Sequence, residues 1–214
     1  MRGKVEWRMS RPPLPIFADE EFRAFRMFCG NNPPDFSEAQ MNTAQPIQMT
    51  ISRVVEADLP VIADLAGVIW RACYPGIITH AQIDYMLGRM YALEVMRDEI
   101  RSQGIRYDLL LVDGQPAGFA SCGPASESGV IKLHKLYLLP EWHGHGLGSR
   151  FLQHVEQEVR QRGARRLILS VNKRNARAIA AYKRNGFVIA ESITTDIGGG
   201  FVMDDYVMAK SLPA

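Results

Sequence analysis

The sequence predicts an α/β domain of the α+β type, with a mixed, mostly antiparallel sheet flanked by helices. From Gln48 onward, short β-branched segments and segments of helical periodicity follow the order β-α-α-β-β-β-α-β-α-β-β. The dipeptide Asp113-Gly114 is a strong hairpin signal between two of the strands. The mostly antiparallel first half argues against a doubly wound nucleotide-binding fold.

The strands are recognised as short segments, several rich in β-branched residues, that end at turn residues or give way to helical spacing. We predict them at Met49–Val55, Tyr107–Val112, Pro116–Ser121, Val130–Leu139, Leu167–Val171, Phe187–Ile193 and Val202–Met208. The helices are recognised by apolar residues at helical spacing between a capping residue and a stop signal. We predict them from Asp58 to the break at Pro75-Gly76, from Thr79 to about Gln103, from Leu147 to Gly163, and from Asn175 to Arg184.

Residues 1–47 differ from the rest because they carry six prolines and one short helical candidate around Asp19–Cys29. We interpret them as an N-terminal extension and place the folded domain at residues 48–214. A passive extension is the favoured interpretation, because Pro-rich arms seldom build sites. A contact with a partner, or with a second copy in a homodimer, is the alternative.

Composition and charge indicate which kinds of partner, metal site and cellular compartment to expect. The 214 residues are 47% hydrophobic and 22% charged, which is typical of a soluble globular protein. A net charge of +2 gives no reason to expect a nucleic-acid or membrane partner. Three cysteines without a CxxC or Cys/His cluster lead us to expect no metal and a reducing, cytoplasmic compartment. We expect neither a secretory signal nor a membrane span, because no long apolar run is present.

The first candidate binding motif is residues 142–149, with the sequence Trp-His-Gly-His-Gly-Leu-Gly-Ser. Glycines at 144, 146 and 148 let the backbone turn tightly and present bare N–H groups at the start of a helix, where an anion is favoured. The segment therefore predicts a pyrophosphate cradle, with a ligand-free turn as the alternative. Ser149 stands where a dinucleotide fingerprint needs glycine or alanine, and the GK[ST] ending of a P-loop is absent.

A second motif follows the first by about 30 residues and reads Asn175-x-x-Ala178-x-x-x-Tyr182-x-x-x-Gly186-Phe187. Each piece has a local explanation, such as a helix cap at its start and a glycine stop at its end. The conjunction with the Gly-rich turn resembles the GNAT superfamily of acetyltransferases. The resemblance covers roughly residues 48–212, and its specific part is Leu133–Phe187.

This resemblance implies a fold and a binding site. In the family, the strands before and after the Gly-rich helix splay apart, and acetyl-CoA lies in the resulting V. Strand backbone would bind the pantetheine arm, turn amides the pyrophosphate, and an asparagine the cofactor further along. The implied cofactor-binding residues are Leu136, Tyr137, Leu138, His143, Gly144, His145, Gly146, Leu147, Gly148, Ser149 and Asn175.

His143 is a departure from the family, whose turn usually begins with Gln or Arg. The backbone cradle does not depend on this side chain. The side-chain contact to a phosphate is expected to become weaker or pH-dependent, because histidine titrates near neutral pH.

Aminolysis of a thioester needs a neutral amine, a polarised carbonyl and a proton for the departing thiolate, and proximity provides much of the rate. Tyr182 matches the family's usual proton donor to the sulfur, with a core tyrosine as the alternative. His134 is the candidate base, because the period of two along a strand places it on the same side as Leu136 and Leu138. A satisfied or surface histidine is its alternative. Cys122 is not expected to carry the acyl group.

The expected partner is a small-molecule amine. The C-terminal tail and the start of the Gly-rich helix look similar to bacterial polyamine acetyltransferases of the PaiA type, which implies a polyamine-like acceptor. Asp84 and Asp205 are the candidate partners of its ammonium groups, although each is equally explained as a solvated acid. A protein or peptide N-acetyltransferase and a non-catalytic acyl-CoA-binding domain are the competing interpretations.

Overall fold

The computed structural model describes residues 47–213 and places seven strands in them. The strands are β1 (Met49–Arg53), β2 (Arg106–Val112), β3 (Gln115–Pro124), β4 (Val130–Leu138), β5 (Arg166–Asn172), β6 (Val188–Gly198) and β7 (Phe201–Ser211). The helices are α1 (Leu59–Cys73), α2 (His80–Met90), α3 (Leu93–Arg101), α4 (Leu147–Gln161) and α5 (Ala176–Arg184). Residues 1–46 of the predicted extension lie outside the described residues.

The strands form one sheet in the order β1-β2-β3-β4-β5-β7-β6. Only β4 and β5 are parallel, so the predicted mixed, mostly antiparallel sheet is confirmed. Their pairing runs from Val130 opposite Arg166 to Leu133 opposite Leu169 and then stops, although both strands continue. The two strands therefore open into a V toward their carboxyl ends.

Helices cover both faces of this sheet. Helix α4 buries a stripe against one face, and α1 buries a stripe against the other, as the helical spacing of their apolar residues predicts. The α4 stripe consists mainly of Leu147, Phe151, Leu152, Val155 and Val159. No helix among the described residues is both long enough and apolar enough to cross a membrane.

The predicted second helix is wrong in one respect, because it is split into α2 and α3 around Tyr91 and Ala92. Ala92 has an extended backbone, and Tyr91 is only 5% exposed. The Tyr91 hydroxyl accepts a hydrogen bond from the indole N–H of Trp70, and its ring packs edge-on against Phe119. Burial of this aromatic side chain outweighs the helical propensity of the segment around it.

A β-bulge interrupts β4 where the V opens. Ser121 lies opposite Lys135, whereas the next residue, Cys122, lies opposite Leu133. His134 is therefore an extra residue with no counterpart on β3, and the alternation of side chains changes phase at this point.

Candidate functional site

The turn between β4 and α4 has the geometry of an anion cradle. Gly144 and Gly146 adopt left-handed backbone angles (φ 89° and 76°), which favour glycine. The backbone N–H groups of Gly144–Ser149 donate to no acceptor among the described residues. Three of them, from Leu147 onward, are the free donors of the first turn of α4, where the helix dipole also favours an anion.

The free edge of β4 continues from this turn along the V. The N–H of Leu139 donates to the carbonyl of Ala117 on β3 (2.9 Å), so alternate backbone groups of β4 point the other way. Leu136 and Leu138 accordingly turn their backbone groups toward the V, as the family resemblance implies. The side chain of Tyr137 between them packs on the opposite face, 5.4 Å from the ring of Phe119.

His143 does not project from the cradle. Its Nε2 donates a hydrogen bond to the carbonyl oxygen of Leu138 (3.0 Å), so the imidazole folds back onto the end of β4. Burial, and then the positive charge of Arg177, lower the pKa of His143, which favours the neutral ring.

Helix α5 borders the site on the side of β5. Asn175 caps the helix by accepting a hydrogen bond from the N–H of Ala178 (3.1 Å). At the other end, Asn185 donates to the hydroxyl of Ser149 (3.0 Å), which connects α5 to the first turn of α4. The two predicted motifs are therefore in direct contact through these side chains.

Tyr182 of α5 is half-buried, and its ring packs edge-on against Phe187 at 5.8 Å. Its hydroxyl makes no hydrogen bond with any described residue. Burial raises the pKa of Tyr182 to about 12, so the phenol keeps its proton at neutral pH.

An aromatic cluster that sequence reasoning missed lies beside Tyr182. The ring of Trp70 stacks on Tyr74 at 4.4 Å, and the Tyr74 hydroxyl lies 3.4 Å from that of Tyr137. Burial raises the pKa of Tyr74, and the phenols of Tyr137 and Tyr182 and the carboxylate of Asp205 raise it further. Tyr74 therefore lies near both Tyr182 and Asp205. Its one sequence signal is weak: an aromatic residue just before the Pro-Gly break.

A cavity of about 370 Å³ opens near the carboxyl end of β5. Its wall includes the loop 76–79 before α2, Asn172 at the end of β5, Arg174 just after it, and Val202 and Asp204 of β7. The cavity thus lies beside the carboxyl end of β5, on the side of β7, and segments from three distant parts of the chain build it.

Asp205 fits the predicted acceptor role better than Asp84. Asp205 is 8% exposed, pairs with Asn172 across the strands, and has an Oδ1 atom without a hydrogen-bond partner among the described residues. Burial and the neighbouring Asp204 raise its pKa. Asp84 instead forms an exposed ion pair with Arg71 (2.9 Å). The structure therefore does not bring the two predicted acids together.

The placement of His134 beside Leu136 is wrong, because the bulge shifts the alternation. Burial, Lys132 and Lys135 lower the pKa of His134 to about 4, against a smaller opposing effect of Glu99. The Lys135 ammonium is buried under α3 and bonded to Glu99 (2.8 Å), whereas Leu136 packs toward α4. His134 belongs with these charges, and its Nε2 is buried without a hydrogen-bond partner among the described residues.

Cys122 is buried in the core, and this burial raises the pKa of its thiol to about 11. A protonated, inaccessible thiol is a poor nucleophile, so Cys122 is not proposed as an acyl carrier.

Comparisons with known proteins agree with this geometry. Residues 69–187 match the acetyltransferase (GNAT) family. An uncharacterized N-acetyltransferase of Mycobacterium tuberculosis is 36% identical over 100 residues, which are 47% of this chain and 63% of that protein. The match therefore spans less than two thirds of that relative's length.

Two further similarities extend over more of the chain. The spermidine N(1)-acetyltransferase of Thermoplasma acidophilum is 25% identical over 162 residues, 74% of this chain and 97% of that protein. The crystal structure of the PaiA N-acetyltransferase of the same organism, in complex with coenzyme A, has a TM-score of 0.66 at 24% identity. It covers 77% of this chain and 99% of that chain, which shows a shared fold.

Proposed function

The chain belongs to the acetyltransferase (GNAT) family, and from this membership we propose that it transfers the acetyl group of acetyl-CoA to a primary amine of a small molecule. The transfer is direct, within a ternary complex of enzyme, acetyl-CoA and amine. The observation that carries the proposal is the row of free backbone N–H groups of Gly144–Ser149 at the mouth of the V.

The residues of the V fit acetyl-CoA. The amides of Gly144–Ser149 supply donors for the pyrophosphate, and the backbone of Leu136 and Leu138 offers strand-like hydrogen bonds to the pantetheine arm. Acetyl-CoA supplies an activated thioester, so the protein must position the amine and manage protons.

Tyr182 is proposed as the group that stabilises the leaving sulfur. A phenol with a pKa of about 12 remains a donor throughout the neutral range. Its full proton transfer to a thiolate with a pKa of about 8.5 is uphill, so its main contribution is a hydrogen bond to charge that develops in the transition state.

His134 is too weak a base to deprotonate the amine. A pKa of about 4 makes its neutral ring far less basic than an alkyl amine with a pKa of about 10. The amine must nevertheless lose a proton before attack. We therefore propose that His134 acts at most as a hydrogen-bond acceptor, and that the rate rises with pH as the amine loses its proton to solvent.

A polyamine is the acceptor class that the sequence predicts, and the spermidine N(1)-acetyltransferase relative supports it. Asp205 offers an unpaired carboxylate for one ammonium group. Asp84 is held by Arg71 on the surface, which leaves a second ammonium without its predicted partner. Spermidine is therefore one test acceptor among several.

The test is release of free thiol from acetyl-CoA with a panel of polyamines, amino acids, aminoglycosides and peptides. Amine-dependent thiol release, with an acetylated product seen by mass spectrometry, is expected. Binding of acetyl-CoA without turnover by any amine would instead identify a non-catalytic acyl-CoA-binding domain.

A further inference from the structure

The wall of the 370 Å³ cavity carries an uneven balance of charge. The carboxylate of Asp204 is already paired with Lys173. The guanidinium of Arg174 donates to the carbonyl oxygens of Gly76 (2.7 Å) and Ile77 (3.0 Å), and no carboxylate of the described residues pairs with it. A positive charge therefore stands uncompensated at the outer wall, and its remaining N–H donors are free.

One unpaired negative charge lies next to this cavity wall. Asp205 lies opposite Asn172, which is part of the cavity wall, and is more than nine-tenths buried with a free Oδ1. One unpaired carboxylate thus lies beside a cavity wall that carries one unpaired cation, Arg174.

We propose that the acceptor is an amino-carboxylate, a small molecule whose amino group binds at Asp205, as the ammonium until it loses its proton for attack, and whose carboxylate is bound at Arg174. This inference rests on the proposed acetyl transfer to an amine and narrows the acceptor within it. A single ammonium neutralises Asp205. A second ammonium, as in a polyamine, would be repelled by the positive charge of Arg174. A carboxylate would instead form charge-assisted hydrogen bonds with its guanidinium.

The two binding groups are close enough for a small molecule to span them. The Cα of Arg174 is two residues beyond that of Asn172, at most roughly 7 Å along the chain. The Cα atoms of the strand neighbours Asn172 and Asp205 are roughly 5 Å apart. Thr79, the N-cap of α2, is part of the same wall, and the positive end of that helix adds to the preference for an anion.

The test uses primary amines that differ only in the distal group. Amino-carboxylates, amino-alcohols and diamines with chains of two to six carbons are compared at constant ionic strength by thiol release from acetyl-CoA. At the best chain length, kcat/KM is expected to fall from carboxylate to alcohol to diamine, by about 10-fold or more overall.

Variants of Arg174 separate its charge from its contacts with the loop. Arg174→Gln should raise KM for the amino-carboxylate by about 10-fold or more and leave KM for the amino-alcohol unchanged. Arg174→Lys keeps the charge and should keep the order of preference. The matched control is Arg165→Gln, an exposed arginine before β5 that also donates to a backbone carbonyl, that of Ser128 (3.4 Å). It should change none of these constants.

A preference of the wild-type protein for diamines would overturn the amino-carboxylate proposal and leave amine acetylation standing. An equal loss with all three classes of acceptor in Arg174→Gln would do the same, because it would reduce Arg174 to a support of the loop. Absence of thiol release with amines of every charge would instead overturn the proposed function.

Discussion

The candidate cofactor site is built from backbone groups, whereas side chains supply the charges of the candidate acceptor cavity. On the cofactor side, the turn Gly144–Ser149 offers backbone groups whose positions follow from a short, continuous motif. On the acceptor side, the cavity is lined by segments around positions 76, 174 and 204, and side chains supply its charges. A backbone site tolerates many side chains and remains recognisable. A side-chain site changes with each substitution, which explains why the cofactor is easier to infer than the acceptor.

The strongest way to break this comparison is to disturb the backbone of the cradle. Gly146 and Gly163 flank the two ends of α4, both with positive φ and with open space where a Cβ would lie. Valine at either position is expected to cost about 1–2 kcal/mol of stability. Gly146→Val should weaken acetyl-CoA binding roughly 100-fold or more by calorimetry, because the amides lose their alignment.

Gly163→Val is the control, and it should bind acetyl-CoA like the wild type despite a similar loss of stability. Equal affinity of Gly146→Val and the wild type would contradict the pyrophosphate cradle.

Tyr182→Phe tests the proposed hydrogen bond from the phenol to the leaving sulfur. It keeps the packing against Phe187 and removes a hydroxyl that bonds to no described residue, so the melting temperature should change little. The turnover number should fall roughly 10- to 1000-fold. Tyr206→Phe, which removes a hydroxyl with no hydrogen bond among residues 47–213, should keep full turnover. Unchanged turnover in Tyr182→Phe across the pH range would reduce Tyr182 to a packing role.

Asp205→Asn tests binding of the amine acceptor separately from binding of acetyl-CoA. Loss of the buried carboxylate should raise KM for the amine roughly 10- to 100-fold and leave KM for acetyl-CoA unchanged. Stability should not fall, because an unpaired buried charge is being removed. Asp84→Asn removes only an exposed ion pair with Arg71 and should change KM little. A larger effect in Asp84→Asn than in Asp205→Asn would show that the acceptor lies elsewhere.

His134 is expected to have the smallest effect on catalysis and a distinct effect on stability. With a pKa of about 4 in the folded state and about 6.5 when unfolded, it binds its proton more readily in the unfolded chain. Its neutral burial therefore costs stability as pH falls from about 6.5 to 4, by at most roughly 3 kcal/mol.

Urea unfolding of the wild type and of His134→Asn over this pH range measures the difference, in which the other titrating groups cancel. Turnover above pH 6 should be similar in both proteins. A loss of turnover in His134→Asn that follows a pKa near 7 would restore His134 as the base.

The sequence was most informative where one local rule decides the structure. The seven strands and the cap at Asn175 are confirmed, because hairpin signals, glycine positions and capping residues act over a few neighbours. The break at Tyr91 and the bulge at His134 were missed, because both depend on what packs against the segment from elsewhere in the fold.

The acceptor residues illustrate the same limit. Asp84 and Asp205 were equivalent in sequence, yet Asp84 is paired on the surface, whereas Asp205 is buried with an Oδ1 that bonds to no described residue. Arg174 and Tyr74 gave no recognisable pattern, since each gains its role from residues about 100 and 60 positions away. Only the folded chain distinguishes such side chains.

The early end of pairing between β4 and β5 has a consequence for the abundance of the protein as well. Beyond Leu133 and Leu169 the sheet is no longer joined by its own hydrogen bonds, and the proposed cosubstrate would bridge the two halves there. A ligand that binds only the folded chain raises the free energy of unfolding by about 2.7 kcal/mol at 100 times its dissociation constant. The fraction of folded chains, and with it resistance to proteolysis, would then follow the supply of acetyl-CoA in the cell.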